Sequence, residues 1–414
     1  MQLIVLLTGN HLCHNPRVLK EATALARAGF DVEVLGGWFD ASLKVRDLSL
    51  LKGLPFQYSP VIDLTGLSLK ARFWNFGSRI RSRAGRLLYR ASGAPNNSQF
   101  GPAFYALSGA ARKRDANLFI AHSEVALLVA RGLLHSGHRV GVDMEDWFSE
   151  DLPVQARENR PIALLRSLER ELLRQGSHAT CSSEAMSLVL AKEYSCRPPT
   201  VIYNAFPWSD HRCLDGFLRD RGRKRFPSIH WYSQTIGPTR GLEDLLAALP
   251  HLKHEVEVHL RGNPVSNFNE WLKAHVPEAW RPRVFVHGLV PNEELLSRIA
   301  EHDIGFAGEM KYCRNKDLTI SNKILHYLLA GLAVVASDTS GQREVAGKAP
   351  DAVVLYPSGD AFSLAQRLNS LLESPERLRL AKSAALIAAE QTFSWERQEQ
   401  ALLTAVRQAL DLAL

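Results

Sequence analysis

The sequence contains no apolar run that approaches the roughly 20 residues needed for a membrane-spanning helix, so no transmembrane segment is predicted. The opening MQLIVLLTGN lacks a basic n-region, and a turn directly follows its short apolar run. These features favour a buried first strand over a secretory signal peptide. Cysteine is also scarce, since the five residues are scattered, odd in number and without paired spacing. This pattern argues against a disulfide framework or a zinc site and predicts a cytoplasmic protein.

Acidic residues are absent between Leu64 and Arg114, although the chain as a whole has a net charge of +7. The basic residues of this stretch are Lys70, Arg72, Arg79, Arg81, Arg83, Arg86, Arg90, Arg112, Lys113 and Arg114, and aromatic and aliphatic residues lie between them. An amphipathic basic element suits an anionic membrane surface, where each cation contributes roughly 1 kcal/mol. A solvated basic face or a mobile loop is the alternative. No nucleic-acid-binding module accompanies the charge, so nucleic acid is not a predicted partner.

The length of 414 residues exceeds what one hydrophobic core usually covers, and two domains are expected. Strand-like and helix-like segments alternate in both halves, as in parallel sheets covered by helices. The predicted strands are LIVLLTG, FDVEVLGG, ANLFIAHS, HRVGVDME and HATCSS in the first half, and SIHWYSQT, EVEVHLRG, RVFVHG, DIGFAG, LAVVASD and AVVLY in the second. The sequence therefore predicts an α/β fold with two doubly wound halves.

The predicted domains are residues 1–205 and 206–390, followed by a final helix over 391–414, and a turn-rich linker is expected around 204–227. In open parallel sheets, ligands bind beyond the carboxyl ends of the strands. The gap between two such halves is therefore the expected site, and its residues should follow strands.

One candidate anion site follows the strand SIHWYSQT, where the sequence continues IGPTRGLEDLLAAL. Gly237 allows close backbone approach, and Arg240 precedes a predicted helix. Exposed amide N–H groups at a helix start bind anions, and an arginine adds a bidentate donor for phosphate. Many strand-to-helix turns carry a glycine and a surface arginine without binding a ligand, so this signal is weak alone.

A second candidate is SNKILHYLLAGLAVVASD, residues 321–338, which predicts a helix, a glycine turn and a strand. Ser321 is a suitable N-cap. Asn322, Lys323 and His326 share one helix side, opposite an apolar stripe. A lysine in the first turn opposes the helix dipole by about 0.3–1 kcal/mol, and a bound diphosphate would relieve this mismatch.

The same segment resembles the donor-binding segment of glycosyltransferase family 4, the retaining enzymes of GT-B fold. HNPRVLKEATALARAGFDVEVLGG is similar to the first helix and second strand of that family, and NLFIAHSEVALLVA with VGVDMEDWFSED to its histidine strand end and acidic segment. VIYNAFPW, HGLVPNEELLSRIAEHDIGF and FSWE extend the resemblance over nearly the whole chain. It implies a GT-B fold with two Rossmann-like domains facing a central cleft, and a last helix that crosses back to the first domain.

The resemblance also implies roles for individual residues. Arg240 occupies the place of the basic residue that contacts the donor diphosphate, and Lys323 and Ser321 fall in the helix start near the same group. His122 matches the first-domain histidine near the reacting sugar. Asn10, in the turn from Thr8 to Cys13, matches the first loop, which approaches the donor from the acceptor side.

The sequence departs from the family pattern at three places. Leu318 and His326 stand where a pair of glutamates spaced seven apart is usual, and Thr235 replaces the usual arginine after the first donor-domain strand. The second glutamate normally accepts a hydrogen bond from the nucleotide ribose, which an imidazole can do only through an unprotonated nitrogen. The first loop also has no Gly-Gly pair. The nucleotide and the sugar are therefore left open.

The implied reaction moves a sugar from a nucleotide diphosphosugar to a glycan or lipid-linked acceptor, with retained configuration. The leaving diphosphate gains charge, so Arg240, Lys323 and the amide groups near Gly237 should supply the main stabilisation. No cofactor and no metal ion are implied. The cluster DMED resembles a metal ligand set, but we interpret Glu145 and Asp146 as acceptor-side or structural residues. His122 is a candidate for sugar orientation or proton transfer, or a structural histidine.

Three other functions share parts of this pattern. An epimerase or hydrolase of the same fold would turn over the donor without an acceptor. A catalytically silent binding protein would fit the missing glutamate pair. A dinucleotide oxidoreductase is disfavoured, because neither half shows G-x-G-x-x-G after its first strand. The favoured prediction is a cytoplasmic glycosyltransferase of polysaccharide or glycolipid synthesis at the inner face of a membrane.

Overall fold

The computed structural model describes residues 1–66, 76–77, 80–81, 83–85, 87–89, 97–157, 160–222 and 226–411. These residues form two compact units. Unit 1 contains residues 1–182, 186–202 and 399–414, and unit 2 contains residues 183–185 and 203–398. The sequence placed the end of the first domain at residue 205, whereas the structural division lies between Ile202 and Tyr203.

Unit 1 is built on a seven-stranded sheet in which all pairings are parallel. Its strands are β1 (Leu3–Leu7), β2 (Asp31–Trp38), β3 (Gln57–Asp63), β4 (Leu118–Ala121), β5 (Val140–Met144), β6 (His178–Cys181) and β7 (Thr200–Val201), in the order β3-β2-β1-β4-β5-β6-β7. The central strands are continuous apolar runs because both faces of a parallel sheet are covered. The order reverses beside β1, so the carboxyl ends of β1 and β4 border the crevice where such sheets bind ligands.

The longer helices with most of their residues in unit 1 are Pro16–Arg27, Ala41–Leu50, Ala103–Ala111, Glu124–His135, Ile162–Gln175, Glu184–Tyr194 and Trp395–Ala409. The first begins with Pro16, whose missing N–H costs nothing at that position, and Gly29 follows it with a φ of 93°. Its buried face includes Val18, Ala22 and Leu25, at the spacing of an amphipathic helix.

Unit 2 is built on a six-stranded parallel sheet. Its strands are β8 (Ser228–Ile236), β9 (Glu257–Pro264), β10 (Val284–His287), β11 (Ile304–Ala307), β12 (Ala333–Ser337) and β13 (Val353–Tyr356), in the order β10-β9-β8-β11-β12-β13. The helices are Trp208–His211, Leu242–Ala248, Phe268–His275, Asn292–Ala300, Arg314–Leu318, Asn322–Ala330, Ser340–Lys348, Ala361–Leu372 and Pro375–Gln391. All eleven strands predicted from the sequence are present, whereas β3 and β7 were missed.

The predicted linker around 204–227 is wrong as a linker, because its described residues pack within unit 2. Asp215 forms an ion pair with Arg298, and Asp220 forms one with Arg261. Arg221 is buried and lies 2.8 Å from Asp303. The charged residues of this turn-rich stretch therefore pair with arginines and an aspartate on the folded body of the unit.

The two faces of the unit 2 sheet differ in character. Ile229, Trp231, Val258 and Leu260 point into one apolar core. Because strand side chains alternate, the residues between them point to the opposite face. That face carries a row of imidazole rings, which we call the histidine row and which consists of the buried His230, His259 and His302 and the half-buried His287.

The rings of the histidine row lie close together. The centroids of His230 and His302 are 4.5 Å apart, and those of His259 and His302 are 4.6 Å apart. His259 Nδ1 lies 2.9 Å from His287 Nε2, which is a hydrogen bond between two rings. Burial lowers the pKa of His259 to about 3, and burial lowers the pKa values of His230 and His302 well below the usual histidine range. These rings are therefore neutral at pH 7.

The basic segment 64–114 is only partly described. Residues 76–77, 80–81, 83–85 and 87–89 are helical, and Arg81 and Arg83 are exposed. Lys70, Arg72, Phe73, Trp74, Arg79, Arg86 and Arg90 lie outside the described residues. Within the described part of the chain, no helix has both the length and the apolar character needed to cross a bilayer.

Candidate functional site

The loop that follows β8 holds two of the predicted donor-side residues in unit 2. Gly237 is buried, and a side chain there would overlap Val265. Arg240 is exposed, and among the described residues no hydrogen bond or ion pair involves it. Gly241 has a φ of 77°, and a Cβ on it would overlap the carbonyl oxygen of Gly308. The loop after β8 therefore lies directly against the loop after β11.

The helix that begins after this loop is Leu242–Ala248. Its first turn already contains Glu243 and Asp244, which complement the positive end of the helix dipole. The backbone N–H of Thr239 also donates to Glu243 Oε1, at 2.5 Å. The helix start is therefore occupied by the chain's own carboxylates, and Arg240 is the group that this turn offers to an anion.

The helix Asn322–Ala330 has the predicted ends. Ser321 is the N-cap and its Oγ accepts from the backbone N–H of Lys323, whereas Gly331 ends the helix with a φ of 74°. Asn322 is exposed on the side opposite the buried residues Ile324, Leu325 and Leu328. The sequence therefore predicted both the boundaries and the faces of this helix.

A carboxylate occupies the position near Lys323 where the sequence predicts an anion. The Nζ of Lys323 donates to Oε1 of Glu309 at 2.7 Å, and Ser321 Oγ donates to the same oxygen at 2.8 Å. Burial alone would raise the pKa of Glu309, but the Lys323 ammonium and the Ser321 hydroxyl outweigh it and hold the pKa below its usual range. Glu309 thus relieves the mismatch between Lys323 and the helix dipole.

His326 lies between two aromatic side chains. Its ring stacks on Phe206 with centroids 3.6 Å apart, and its Nδ1 lies 2.6 Å from the Tyr232 hydroxyl. Burial raises the pKa of Tyr232, so the hydroxyl keeps its proton. Thr235 is half-buried in β8, where it pairs in register with Asn263. The contacts with Phe206 and Tyr232 therefore hold the imidazole ring of His326 in one orientation.

The first loop of unit 1 follows β1. Gly9 has a φ of 64°, and the carbonyl oxygen of Asn10 accepts from the backbone N–H of Gly37 at 3.1 Å. The backbone N–H groups of Phe39 and Asp40 donate to His11 Nε2 at 2.8 and 3.1 Å. Nε2 of His11 therefore carries no proton, and His11 Nδ1–H donates to Asp47 at 2.8 Å. This network fixes the loop and leaves the Asn10 side chain exposed.

His122 belongs to a buried charge cluster that consists of Arg17, Glu21, His122 and Asp143. Arg17 donates to both oxygens of Asp143, at 2.5 and 2.8 Å. His122 Nδ1 lies 3.2 Å from Asp143, and His122 Nε2 lies 3.5 Å from Glu21. Both ring nitrogens of His122 therefore face carboxylates, and only 2% of its side chain is exposed.

The members of the buried charge cluster set one another's protonation. Burial opposes ionisation of Asp143, but Arg17 and His122 outweigh it and hold the pKa of Asp143 far below its usual range. Burial raises the pKa of Glu21 to about 7, and the charge of Asp143 acts in the same direction. Burial also opposes charge on His122, yet Glu21 and Asp143 raise its pKa. This geometry favours a positioning role for His122 over proton transfer to a ligand.

A cavity of about 710 Å³ opens beside the cluster in unit 1. Its walls include Asn10, His122, Glu145 and Asp146, all of which the sequence singled out, and also Glu124 and Arg160, which form an ion pair. These residues come from the loops after β1, β4 and β5, as the rule for parallel sheets predicts. The structure therefore gathers the first-domain candidates around one polar cavity.

Two groups of side chains in the described residues have the spacing of metal ligands, and neither fits a metal. The first group consists of His11, Cys13 and Asp47, and both ring nitrogens of His11 are already engaged in the hydrogen bonds described above. In the second, Glu21, His122 and Asp143, the guanidinium of Arg17 already supplies the cation. Asp143 points to Arg17, so the DMED cluster does not act as a set.

Several residues of these sites were missed in the sequence. Glu309 directly follows the predicted strand DIGFAG, and a carboxylate at a strand end was the available signal. Arg17 and Glu21 are spaced four apart on the first helix, which places both on one face, but their burial with Asp143 is a tertiary contact that spacing does not reveal.

Comparison with known proteins finds a family match within the second half of the chain. Residues 227–374 match the model of a family described as "Glycosyl transferases group 1". No curated protein matches the sequence. The prediction of a glycosyltransferase is confirmed by this match, whereas the assignment to family 4 stays a prediction.

Solved structures confirm the fold. HepE from Anabaena, determined in complex with UDP, has a TM-score of 0.69 at 16% identity, and the alignment covers 98% of this chain and 99% of that chain. Sucrose-phosphate synthase from Thermosynechococcus elongatus has a TM-score of 0.71 at 15% identity, with 99% and 100% covered. A UDP-forming trehalose-phosphate synthase from Burkholderia xenovorans has a TM-score of 0.65 at 12% identity, with 98% and 99% covered. The predicted GT-B fold is therefore present.

Proposed function

We propose, from the match of residues 227–374 to the model of group 1 glycosyltransferases, that the chain transfers a sugar from a nucleotide diphosphosugar to an acceptor with retained configuration. The observation that carries this proposal is the helix start at Ser321 and Lys323, where two donors already hold a carboxylate. A phosphate oxygen accepts the same hydrogen bonds, so the position suits the donor diphosphate. HepE, which shares the fold, was determined with UDP-glucose.

In this proposal, unit 2 stabilises the leaving nucleoside diphosphate. Negative charge grows on the diphosphate as the glycosidic bond breaks, so fixed cations lower the barrier. Lys323 and Arg240 supply the cations, and the capped start of the helix Asn322–Ala330 adds its dipole. Gly237 adds a backbone donor to the loop of Arg240, and Ser321 adds a hydroxyl donor at the helix start of Lys323. These groups serve the purpose that a divalent ion serves in other transferases, and the reaction is metal-independent.

Unit 1 binds the acceptor in the polar cavity beside Asn10 and His122. Asp143 and Glu21 fix the ring of His122, so the cavity wall keeps one shape. Glu145 and Asp146 supply oxygen acceptors for sugar hydroxyl groups. We infer that the acceptor is a glycan or a glycolipid precursor.

The described part of the basic segment supports attachment to an anionic membrane. The exposed fractions of Phe76, Ile80 and Leu87 are 66%, 49% and 62%. At α-helical spacing, positions 76, 80 and 87 share one face, and Arg81 and Arg83 are also exposed. An apolar stripe flanked by cations is typical of helices that lie in the membrane interface.

Charge reversal tests this attachment. The variant Arg81→Glu/Arg83→Glu should lose most of its binding to phosphatidylserine-containing vesicles in a flotation assay. The control variant Arg377→Glu/Arg379→Glu changes two exposed arginines of unit 2 and should bind like the wild type. Equal binding of both variants would show that the segment is not the attachment site.

Transfer itself is tested with the two cations of unit 2. We expect Lys323→Ala and Arg240→Ala to lower kcat/KM by about 10²–10³-fold each, the effect of losing one transition-state donor, with the melting temperature little changed. Lys382→Ala is the matched control, because Lys382 lies 2.9 Å from Asp303, just before β11, whereas Lys323 binds Glu309, just after the same strand. Full activity in Lys323→Ala or Arg240→Ala would remove that residue from the site.

The donor is identified by screening nucleotide sugars for a rise in melting temperature. Release of free nucleotide without an acceptor would instead identify an epimerase or hydrolase. If no nucleotide raises the melting temperature, the chain is instead the catalytically silent binding protein. That alternative is motivated by His326, which stands where the family usually has the second glutamate of its pair.

A further inference from the structure

Glu309 binds the same groups that the proposed function assigns to the donor diphosphate. Its Oε1 accepts from Lys323 Nζ at 2.7 Å and from Ser321 Oγ at 2.8 Å. Both hydrogen bonds go to one oxygen atom, as they would to a terminal phosphate oxygen. The Glu309 side chain is 25% exposed, so it lies at the edge of the unit rather than in its core.

We propose that the Glu309 carboxylate occupies the place of a donor phosphate group. The donor must displace this carboxylate when it binds, and Glu309 therefore sets the affinity for the donor. This inference rests on the proposed function. It concerns donor specificity: a ligand with two phosphate groups can compete with the carboxylate, whereas a singly charged ligand competes poorly.

The loop that carries Glu309 allows such a displacement. Its backbone is held, because Glu309 N–H donates to Ser337 Oγ at 2.8 Å and its carbonyl oxygen accepts from Ser337 Oγ at 2.9 Å. Ser358 Oγ donates to the same carbonyl oxygen at 3.2 Å. A rotation of the side chain alone can therefore free Lys323, and the loop after β11 keeps its place.

Displacement is required because both anions need the same cation. Lysine offers three N–H donors, but a phosphate oxygen bound to Lys323 beside Glu309 would lie next to a like charge. Lys316 also attracts Glu309, which gives the released carboxylate a cationic neighbour. The opposite role is that Glu309 orients Lys323 for the donor, and it predicts the opposite change in affinity.

Neutralising the carboxylate separates the two roles. The experiment titrates inorganic pyrophosphate into the full chain by calorimetry at constant ionic strength, with the wild type and Glu309→Gln. The matched control is Asp338→Asn, which removes a carboxylate of 26% exposure that follows the neighbouring strand β12 and pairs with Lys311. Thermal unfolding of each variant verifies that it is folded.

We expect Glu309→Gln to bind pyrophosphate about tenfold more tightly than the wild type, the gain if Lys323 is occupied about nine-tenths of the time. Asp338→Asn should stay within about twofold of the wild type, because it changes the charge but frees no donor at Ser321. Equal or weaker binding by Glu309→Gln overturns the inference and leaves the proposed function standing. If neither protein binds pyrophosphate and no nucleotide sugar raises the melting temperature of the wild type, the proposed function fails as well.

Discussion

Acidification should weaken unit 2 more than unit 1, because unit 2 buries most of its histidine row without charge, whereas in unit 1 burial lowers the pKa of His178. His230, His259 and His302 have pKa values lowered by burial, so the folded state keeps them neutral. In the unfolded chain each imidazole has its ordinary pKa of about 6.5 and binds a proton below it. The unfolded state therefore binds more protons as the pH falls, and the free energy of unfolding must decrease with it.

The magnitude follows from linkage. One histidine that titrates at about 6.5 when unfolded, and far lower when folded, costs about 2 kcal/mol of stability between pH 7 and pH 5. The three rings together remove about 6 kcal/mol, if they act independently. Small domains have about 5–15 kcal/mol in total, so unit 2 should be close to unfolding at pH 5. The loss begins near pH 6.5, well above the range in which paired carboxylates titrate.

Amide hydrogen exchange measures this effect for each unit separately. Peptides from β8 and β9 report on the opening of unit 2, and peptides from β1 and β4 provide the reference in unit 1. In the variant His230→Leu the acid sensitivity should fall by about 2 kcal/mol, because one titrating ring is gone. Neither ring nitrogen of His230 has a hydrogen-bond partner among the described residues, so leucine breaks no hydrogen bond.

The control variant is His275→Gln, which changes an exposed histidine of the same unit and should keep the full acid sensitivity. The reasoning is refuted if unit 2 loses less than about 1 kcal/mol between pH 7 and pH 5, since even one buried neutral ring requires more than that.

Two further changes should act through named contacts. Gly241→Ala places a Cβ against the carbonyl oxygen of Gly308 at a positive φ, so we expect a lower melting temperature. Gly347→Ala, in open space on a helix, should instead gain about 0.5–1 kcal/mol of stability. An unchanged melting temperature in Gly241→Ala would contradict the tight packing of the two loops. Arg17→Met leaves Asp143 buried without its cation and should cost about 3–5 kcal/mol in urea unfolding. The double change Arg17→Met/Asp143→Leu should recover most of that loss, and no recovery would mean that the ion pair is not the cause.

The sequence was a good guide to the strands and a poor guide to sheet edges. β1 and β12 are apolar runs bounded by turns, and both were predicted because a buried parallel strand needs little else. β3 was missed, since the proline and serine in QYSPVID mask the β-branched residues and its position at the sheet edge removes the need for a continuous apolar run. β7 has only two residues, too few for any periodicity.

The site shows the same division between local and tertiary information. Ser321 and Lys323 were predicted because capping and helix faces are local properties. The carboxylate of Glu309 is twelve residues from Ser321 and on another element, so only the fold brings them together. His122 was singled out by its place at a strand end, but its confinement between Glu21 and Asp143 depends on the first helix packing on the sheet. Such tertiary contacts cannot be predicted from the spacing of residues along the chain.

Unit 1 includes residues 399–414 as well as the first part of the chain, and this has a consequence for its synthesis. Arg139 donates to Asp411 at 2.6 Å and to the carbonyl oxygen of Ala409 at 3.3 Å, and Leu402 and Val406 are fully buried. At about 5–20 residues per second, a ribosome needs about 10–40 s to add residues 203–398 before these partners emerge. During that time unit 1 lacks its last helical segment and exposes the apolar surface that Leu402 and Val406 later cover. A chaperone or a stable partial fold must therefore protect this surface, even though most of unit 1 is translated first.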